Sequence, residues 1–159
     1  MKRVLCVTLL IFMLTSTVFA GEMNFSSFDL RTKSSCTATE LDEVLKYELK
    51  GLGEYFLSAQ EKHGVNALFL ASIAALESGW GRYCFKKNNM FGYGNMSFSS
   101  KAECIDFVAM KLKENYLTEN GKYHNGYTVD AVNVRYNGRS EWAETVLQIM
   151  SGLSRKLSQ

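Results

Sequence analysis

From Ala67 to Leu76 the chain reads ALFLASIAAL, ten residues with a single polar member, Ser72. The run is well short of the ~20 apolar residues a membrane span needs. Its apolar positions cover nearly every side of a helix, which predicts a helix buried inside a globular core. Asn66 stands before it as an N-cap, able to accept from the free N–H groups of the first turn. On either side the polar and apolar positions recur at helical spacing. Thr37 and Glu40 form a capping-box pattern ahead of Leu41, Val44, Leu45, Leu49 and Leu52, with Gly51 and Gly53 interrupting that stripe. A second helix runs through Tyr55, Phe56 and Ala59 to His63, where Gly64 offers a C-terminal cap and His63 meets the helix dipole. Ser100 and Glu103 repeat the capping box ahead of Ile105, Val108, Ala109, Leu112 and Tyr116. A polar connection over 119–127 leads to a short helix over 128–135, with Val129 and Val132 inward. After a turn at Asn137-Gly138, Ser140 caps a last helix carrying Trp142, Val146, Ile149 and Leu153. Residues 88–99, rich in Gly, Asn and aromatics, lack the helical period and should form a loop or a short hairpin. The expected fold is mainly α, in an α+β sense. It is a compact helical domain with a central buried helix and one small lobe flanking a cleft.

Lys2 and Arg3 precede an apolar run from Val4 to Leu14, and Val18 and Ala20 occupy the −3 and −1 positions of a cleavage site. This pattern predicts a signal peptide over 1–20, cut between Ala20 and Gly21, and so a secreted or periplasmic protein. An uncleaved membrane anchor is the alternative. Residues 21–36 have no clear period and read as a flexible lead-in to a domain over 37–159. The chain has 18 basic and 16 acidic residues, and the signal takes Lys2 and Arg3 with it, leaving 16 of each. With no basic stripe, neither nucleic acid nor an anionic membrane is expected as the main partner. A monomer is expected. Cys36, Cys84 and Cys104 remain, and three pairings are open. A Cys84–Cys104 disulfide would tie the segment after the central helix to the start of the next one, stabilising by roughly 3 kcal/mol. Cys36 would then be free or intermolecular, and three reduced thiols are the alternative. His63 and His124 are the only histidines and neither has ligand-like spacing to a cysteine, so no metal or cofactor is expected.

One residue past Leu76 stands Glu77, on the same stripe as Leu70 and Ile73, with Trp80 three residues further on. Burying a lone carboxylate is costly. Held against apolar walls and an indole, its pKa is pushed up, as a general acid working near neutral pH requires. The other reading pairs Glu77 with Arg82 or Lys86 at the helix end. Physics alone leaves both open.

AALESGWGR followed by NNMFGYG resembles the glucosaminidases of glycoside hydrolase family 73. These have a lysozyme-like fold and cleave the bond after N-acetylglucosamine in bacterial cell-wall glycan. The likeness runs from about Leu41 to Leu153 and takes in GVNALFL, AECI and VRYNG…EWAETVLQI. The related lytic transglycosylases share the Glu-Ser pair but follow it with a Gly-Leu-Met-Gln type segment. Here Asn88-Asn89-Met90-Phe91-Gly92 stands in its place. The resemblance implies an exported endo-β-N-acetylglucosaminidase acting on peptidoglycan strands, with an envelope-spanning assembly as a further candidate partner. Glu77 matches the family's general acid, and Tyr136 matches a tyrosine near the reacting sugar. Longer relatives carry a second carboxylate on the small lobe, whereas residues 88–102 here contain no Asp or Glu. Glu103, Asp106 and Asp130 are the remaining candidates. That departure favours a substrate-assisted route, with the sugar's own 2-acetamido group attacking the reacting carbon. Asn89, Phe91 and Tyr93 are candidate sugar contacts, by amide hydrogen bonding and aromatic stacking. Trp80 is expected to wall the Glu77 pocket and secondarily to contact the sugar, and Tyr116, Tyr123 and Tyr127 to pack in the core or at the rim. The alternatives are a muramidase or lytic transglycosylase cutting the other glycan bond, and a glycan-binding or assembly factor without turnover.

Overall fold

A computed structural model describes residues 24–159; the expected signal peptide and its cleavage site lie outside them. Among the described residues there are six α-helices: α1 (Ala38–Val44), α2 (Gly53–His63), α3 (Ala67–Ser78), α4 (Lys101–Asn115), α5 (Val129–Tyr136) and α6 (Ser140–Leu157). Short 3₁₀ turns lie at Phe25–Ser27 and Tyr47–Leu49. The described residues hold no β-strand, so the stretch after α3 is a loop and not a hairpin.

Helix α3 is the apolar centre: every residue from Ala67 to Ala75 is buried. Its one polar member, Ser72, is satisfied by donating to the Leu68 carbonyl at 2.7 Å. A helix without a polar face must be covered on all sides. It packs on α6 and α2, α4 packs on α2, and α1 and α5 close the remaining gaps. Asn66 caps α3 by accepting from the Phe69 N–H at 3.0 Å. The capping box at Thr37 and Glu40 forms as expected, and Ser100 caps α4 by accepting from Glu103. Ser140, expected as the last cap, is instead the first residue of α6, with Arg139 at the cap position.

Two expectations are overturned. The first is the flexible lead-in, whose described part, residues 24–36, is tied to the domain at several points although most of its side chains are exposed or half-buried. Phe25 and Leu30 are buried, and Leu30 exchanges backbone hydrogen bonds of 2.8 Å with Tyr127 and Asn66. Two buried amides hold the residues just after Leu30: Asn66 donates to the Thr32 carbonyl, and Gln60 bonds Ser34 through both ends of its side chain. These contacts are carried by backbone groups, so they leave no periodic trace in the side chains. The second is the Cys84–Cys104 disulfide, which is not formed; all three cysteines of the described residues are free thiols. Cys104 is buried at the start of α4 beneath the loop, where the backbone N–H groups of Met90 and Phe91 face its sulfur. Burial pushes its thiol up to about 11.

Leu30→Ala should destabilise the protein by about 2–4 kcal/mol, the range for truncating a well-packed core leucine, measured as a fall in urea midpoint. A mobile lead-in would give no change. Asp106 supplies a second check. Hydrogen bonds from Lys62, then His63, hold its carboxyl below the usual range. A carboxyl depressed in the folded state contributes stability above its unfolded value of about 3.9 and loses that contribution as the pH falls through the folded value. The pair is largely exposed, so Asp106→Asn should cost about 1 kcal/mol or less at pH 7. The difference from wild type should close as the pH falls through the depressed folded value, read as converging urea midpoints.

Candidate active site

The site begins with the way α3 ends. Gly79 takes the left-handed conformation, φ +56°, and a Cβ there would meet the Tyr83 ring at 3.0 Å. Ser78 donates to the Ala74 carbonyl and accepts from the Gly81 N–H at 2.7 Å, closing the helix end. Glu77 therefore stands in the last turn of a buried helix but is itself exposed, contrary to the enclosed carboxylate expected. Neither suggested cation pairs with it. Arg82 bonds the Gly79 carbonyl and lies over the Tyr47 ring, while Lys86 lies over Phe85.

The indole beside Glu77 is Trp142, not Trp80. Trp142, in the first turn of α6, donates from Nε1 to Glu77 Oε1 at 2.7 Å. Trp80 has left-handed backbone, φ +64°, and its ring turns away. It lines a separate groove with Val44, Lys46, Ile149 and Leu153. An (i, i+3) neighbour shares a face only while the helix continues, and this one stops at Gly79. The signal for Trp142 was its type: a buried indole N–H needs an acceptor.

Four chain segments converge on Glu77 to form an open cleft of about 300 Å³: the end of α3, the loop at 91–94, Tyr116 after α4, and Tyr136-Asn137 at the end of α5. The loop passes close to the carboxylate at residue 92, where a left-handed backbone favours glycine and a side chain would meet Glu77 only at ordinary contact distance. Its φ is +61°, and a Cβ there would stand 3.7 Å from Glu77 Oε2. Tyr136 packs on Trp142, with ring centroids 4.9 Å apart, and on Tyr116 at 5.9 Å. Burial, reinforced by the neighbouring Glu77 charge, pushes its phenol far above the ordinary value. Tyr136 is therefore a neutral hydroxyl at any working pH. Burial raises Tyr116 likewise, helped by Tyr123 and Tyr93.

The other expected contacts divide. Tyr93 lines the cleft, its ring edge-on to Phe107 at 5.3 Å. Phe91 lines the cleft but is buried, with only 2% of its surface exposed, so it belongs mainly to the core. Asn89 is not a free sugar contact. It is buried, its amide donates to the Tyr93 and Met96 carbonyls, and its oxygen accepts from the Tyr93 N–H. It shapes the loop that carries Tyr93. Tyr123 stacks on Tyr116 behind the cleft, and Tyr127 lies outside it beneath the Arg31 guanidinium. None of the three candidate second acids lines the cleft. Glu103 bonds Ser99, Asp106 bonds Lys62 and His63, and Asp130 is exposed in the first turn of α5. Among the described residues Glu77 is the only acid lining it, and no three His, Cys, Asp or Glu side chains converge as metal ligands.

The family model for mannosyl-glycoprotein endo-beta-N-acetylglucosaminidase, a glucosaminidase family, matches residues 53–155. The chain belongs to the glucosaminidase family. Two Streptococcus pneumoniae proteins, each named "Putative endo-beta-N-acetylglucosaminidase", are 33% identical to it over 157 residues, 87% of this chain. The chain spans only about a quarter of their length, 24% and 22%. Its fold is that of S. aureus autolysin E, at a TM-score of 0.71 and 22% identity. One such structure is a catalytic glutamate-to-alanine mutant with the disaccharide NAG-NAM, covering 86% of this chain and 74% of its own. Another holds the muropeptide NAM-L-Ala-D-iGlu, covering 87% and 75%. The mainly helical, lysozyme-like fold expected from the sequence is the one observed.

In this chain the indole bond fixes one carboxylate oxygen of Glu77 and leaves the other facing the loop. Trp142→Phe keeps the packing and removes the donor. Losing a hydrogen bond to a charged group of about 1.5–3 kcal/mol predicts a kcat roughly tenfold to a hundredfold lower. The melting temperature should shift by only a few degrees. Steady-state kinetics on solubilised cell-wall glycan, beside a thermal melt, checks both.

Proposed function

We propose that the protein is an exported peptidoglycan hydrolase, an endo-β-N-acetylglucosaminidase with Glu77 as its general acid. The observation that carries this is the isolation of Glu77: a single carboxylate in an open cleft, steered by the Trp142 indole and surrounded by aromatic rings. Family membership supports the reaction class. The muropeptide and disaccharide complexes of autolysin E, one of them a catalytic glutamate mutant, support the substrate class and the role of a glutamate. The pattern at 1–20 supports export.

Glu77 Oε1 already accepts from the indole, so Oε2, on the Gly92 side, is the oxygen that carries the proton. As the bond between the sugar's anomeric carbon and the leaving oxygen breaks, that proton passes to the leaving oxygen. With no second acid lining the cleft among the described residues, the acetamido carbonyl oxygen of the N-acetylglucosamine attacks the anomeric carbon, forming a cyclic intermediate. Water then opens it, returning a proton to Glu77. In this reading the neutral Tyr136 hydroxyl orients the acetamide and the Tyr93 ring stacks on a pyranose, roles supported by both residues lining the cleft.

Digestion of purified peptidoglycan, borohydride reduction and mass spectrometry of the fragments tests this reading. Reduced N-acetylglucosamine ends are expected. Reduced or anhydro N-acetylmuramic acid ends would move the cut to the other bond. Fragment-free material from a protein that still binds the glycan would make it a binding factor. Glu77→Gln should lower turnover by at least about a hundredfold, the lower bound for removing a general acid, while leaving glycan affinity in place. Wild-type turnover by that variant would overturn the mechanism.

A further inference from the structure

The three most exposed large hydrophobic side chains of the described residues are Tyr47 at 60%, Tyr83 at 70% and Phe85 at 88%; the first two share the Arg82 guanidinium and Phe85 follows Tyr83 by two residues. Each carries a cation. The Arg82 guanidinium lies 4.1 Å from the Tyr47 ring centre and 5.4 Å from that of Tyr83, and the Lys86 ammonium lies 5.2 Å from Phe85. Lys87 is exposed beside them. Residues 46–50 and 82–87 hold five cations against one acid, Glu48, and that acid is already engaged by Lys101. The near-zero net charge of the chain conceals this concentration, because two separate segments supply it. The fold brings the two segments together where the Arg82 guanidinium lies over the Tyr47 ring.

We propose that this face docks on an anionic phospholipid surface. The Phe85 ring enters the interfacial layer, Tyr47 and Tyr83 lie at headgroup level, and the surrounding cations meet the headgroup phosphates. Aromatic rings with a polar tip favour that depth. Arginine and lysine keep their charges at the interface while their stems run along apolar surface. A soluble anionic polymer would satisfy the cations but leave Phe85 in water, whereas a bilayer surface satisfies both. The loop is anchored at the end of α3, through Tyr83 N–H to the Ser78 carbonyl and Gly81 N–H to Ser78 Oγ. Docking would therefore hold the end of the helix that bears Glu77 near the lipid surface.

Co-sedimentation of the chain from Gly21 onward, whose described residues enclose a complete core, with two kinds of vesicle tests this. One kind is phosphatidylcholine alone, and the other contains phosphatidylglycerol. Binding is expected to the second only and should weaken with salt. Phe85→Ala should reduce it about tenfold, from partial loss of one buried ring. Lys86→Gln with Lys87→Gln should reduce it about thirtyfold, at roughly fivefold per basic residue near an anionic surface. Both variants should keep wild-type melting temperature and wild-type hydrolysis of soluble glycan, since neither site lines the cleft. Equal binding to both vesicles, no binding to either, or variants that bind like wild type would each overturn the proposal. In the second case an apolar pocket on a protein partner becomes the reading.

Discussion

An apolar helix without a polar face has one stable location, and α3 occupies it. Because nine consecutive residues are buried, the rest of the domain must cover it, with α6 and α2 lying directly against it, and the part left open is its C-terminal end. The end is where Glu77 emerges. Each feature of the cleft stems from that geometry: the helix must stop at once, the chain beyond it must turn aside, and the start of α6 must supply a donor. Gly79, the left-handed Trp80 and the Trp142 indole meet those three demands. The position of the carboxylate is thus a by-product of burying Ala67 to Ala75.

Rigidity around the carboxylate comes from polar groups turned inward rather than toward a ligand. Asn89 spends its amide on the loop's own backbone, and Gln60 and Asn66 spend theirs on residues 30–34. None of the buried side-chain polar atoms of the described residues lacks a partner. Satisfied networks of this kind specify a single arrangement, because each alternative would leave an amide unpaired in a low-dielectric interior. The cleft wall is correspondingly well defined, with Tyr93 and Gly92 set by the loop beneath them.

Much of the helical frame was legible in the sequence, since period and capping chemistry are local. The Thr37 and Ser100 caps, the Asn66 cap and the stripe of α4 could be read directly. What escaped was set by long-range geometry. Trp80 looked like the neighbour of Glu77 because three residues separate them, but the helix ends in between. Residues 24–36 looked loose because backbone hydrogen bonds and buried amides hold them, and neither has a periodic signature. Asn89 has the chemistry of a sugar ligand, and only the structure reveals that its hydrogen-bonding capacity is already used. Glu77 itself was found from its awkward position after an apolar run, although its exposure was the reverse of that expected.

The buried Cys104 thiol also has a practical meaning. It lies directly beneath Met90 and Phe91, so a reagent in solvent can reach it only when the loop lifts. Its rate of alkylation, scaled by the thiolate fraction that its raised pKa permits, is therefore a clock for opening of the cleft wall. A glycan fragment seated against Tyr93 would slow that clock. With the half-buried Cys36 and Cys84 replaced by serine, Cys104 would report occupancy of the cleft without any bond being cut.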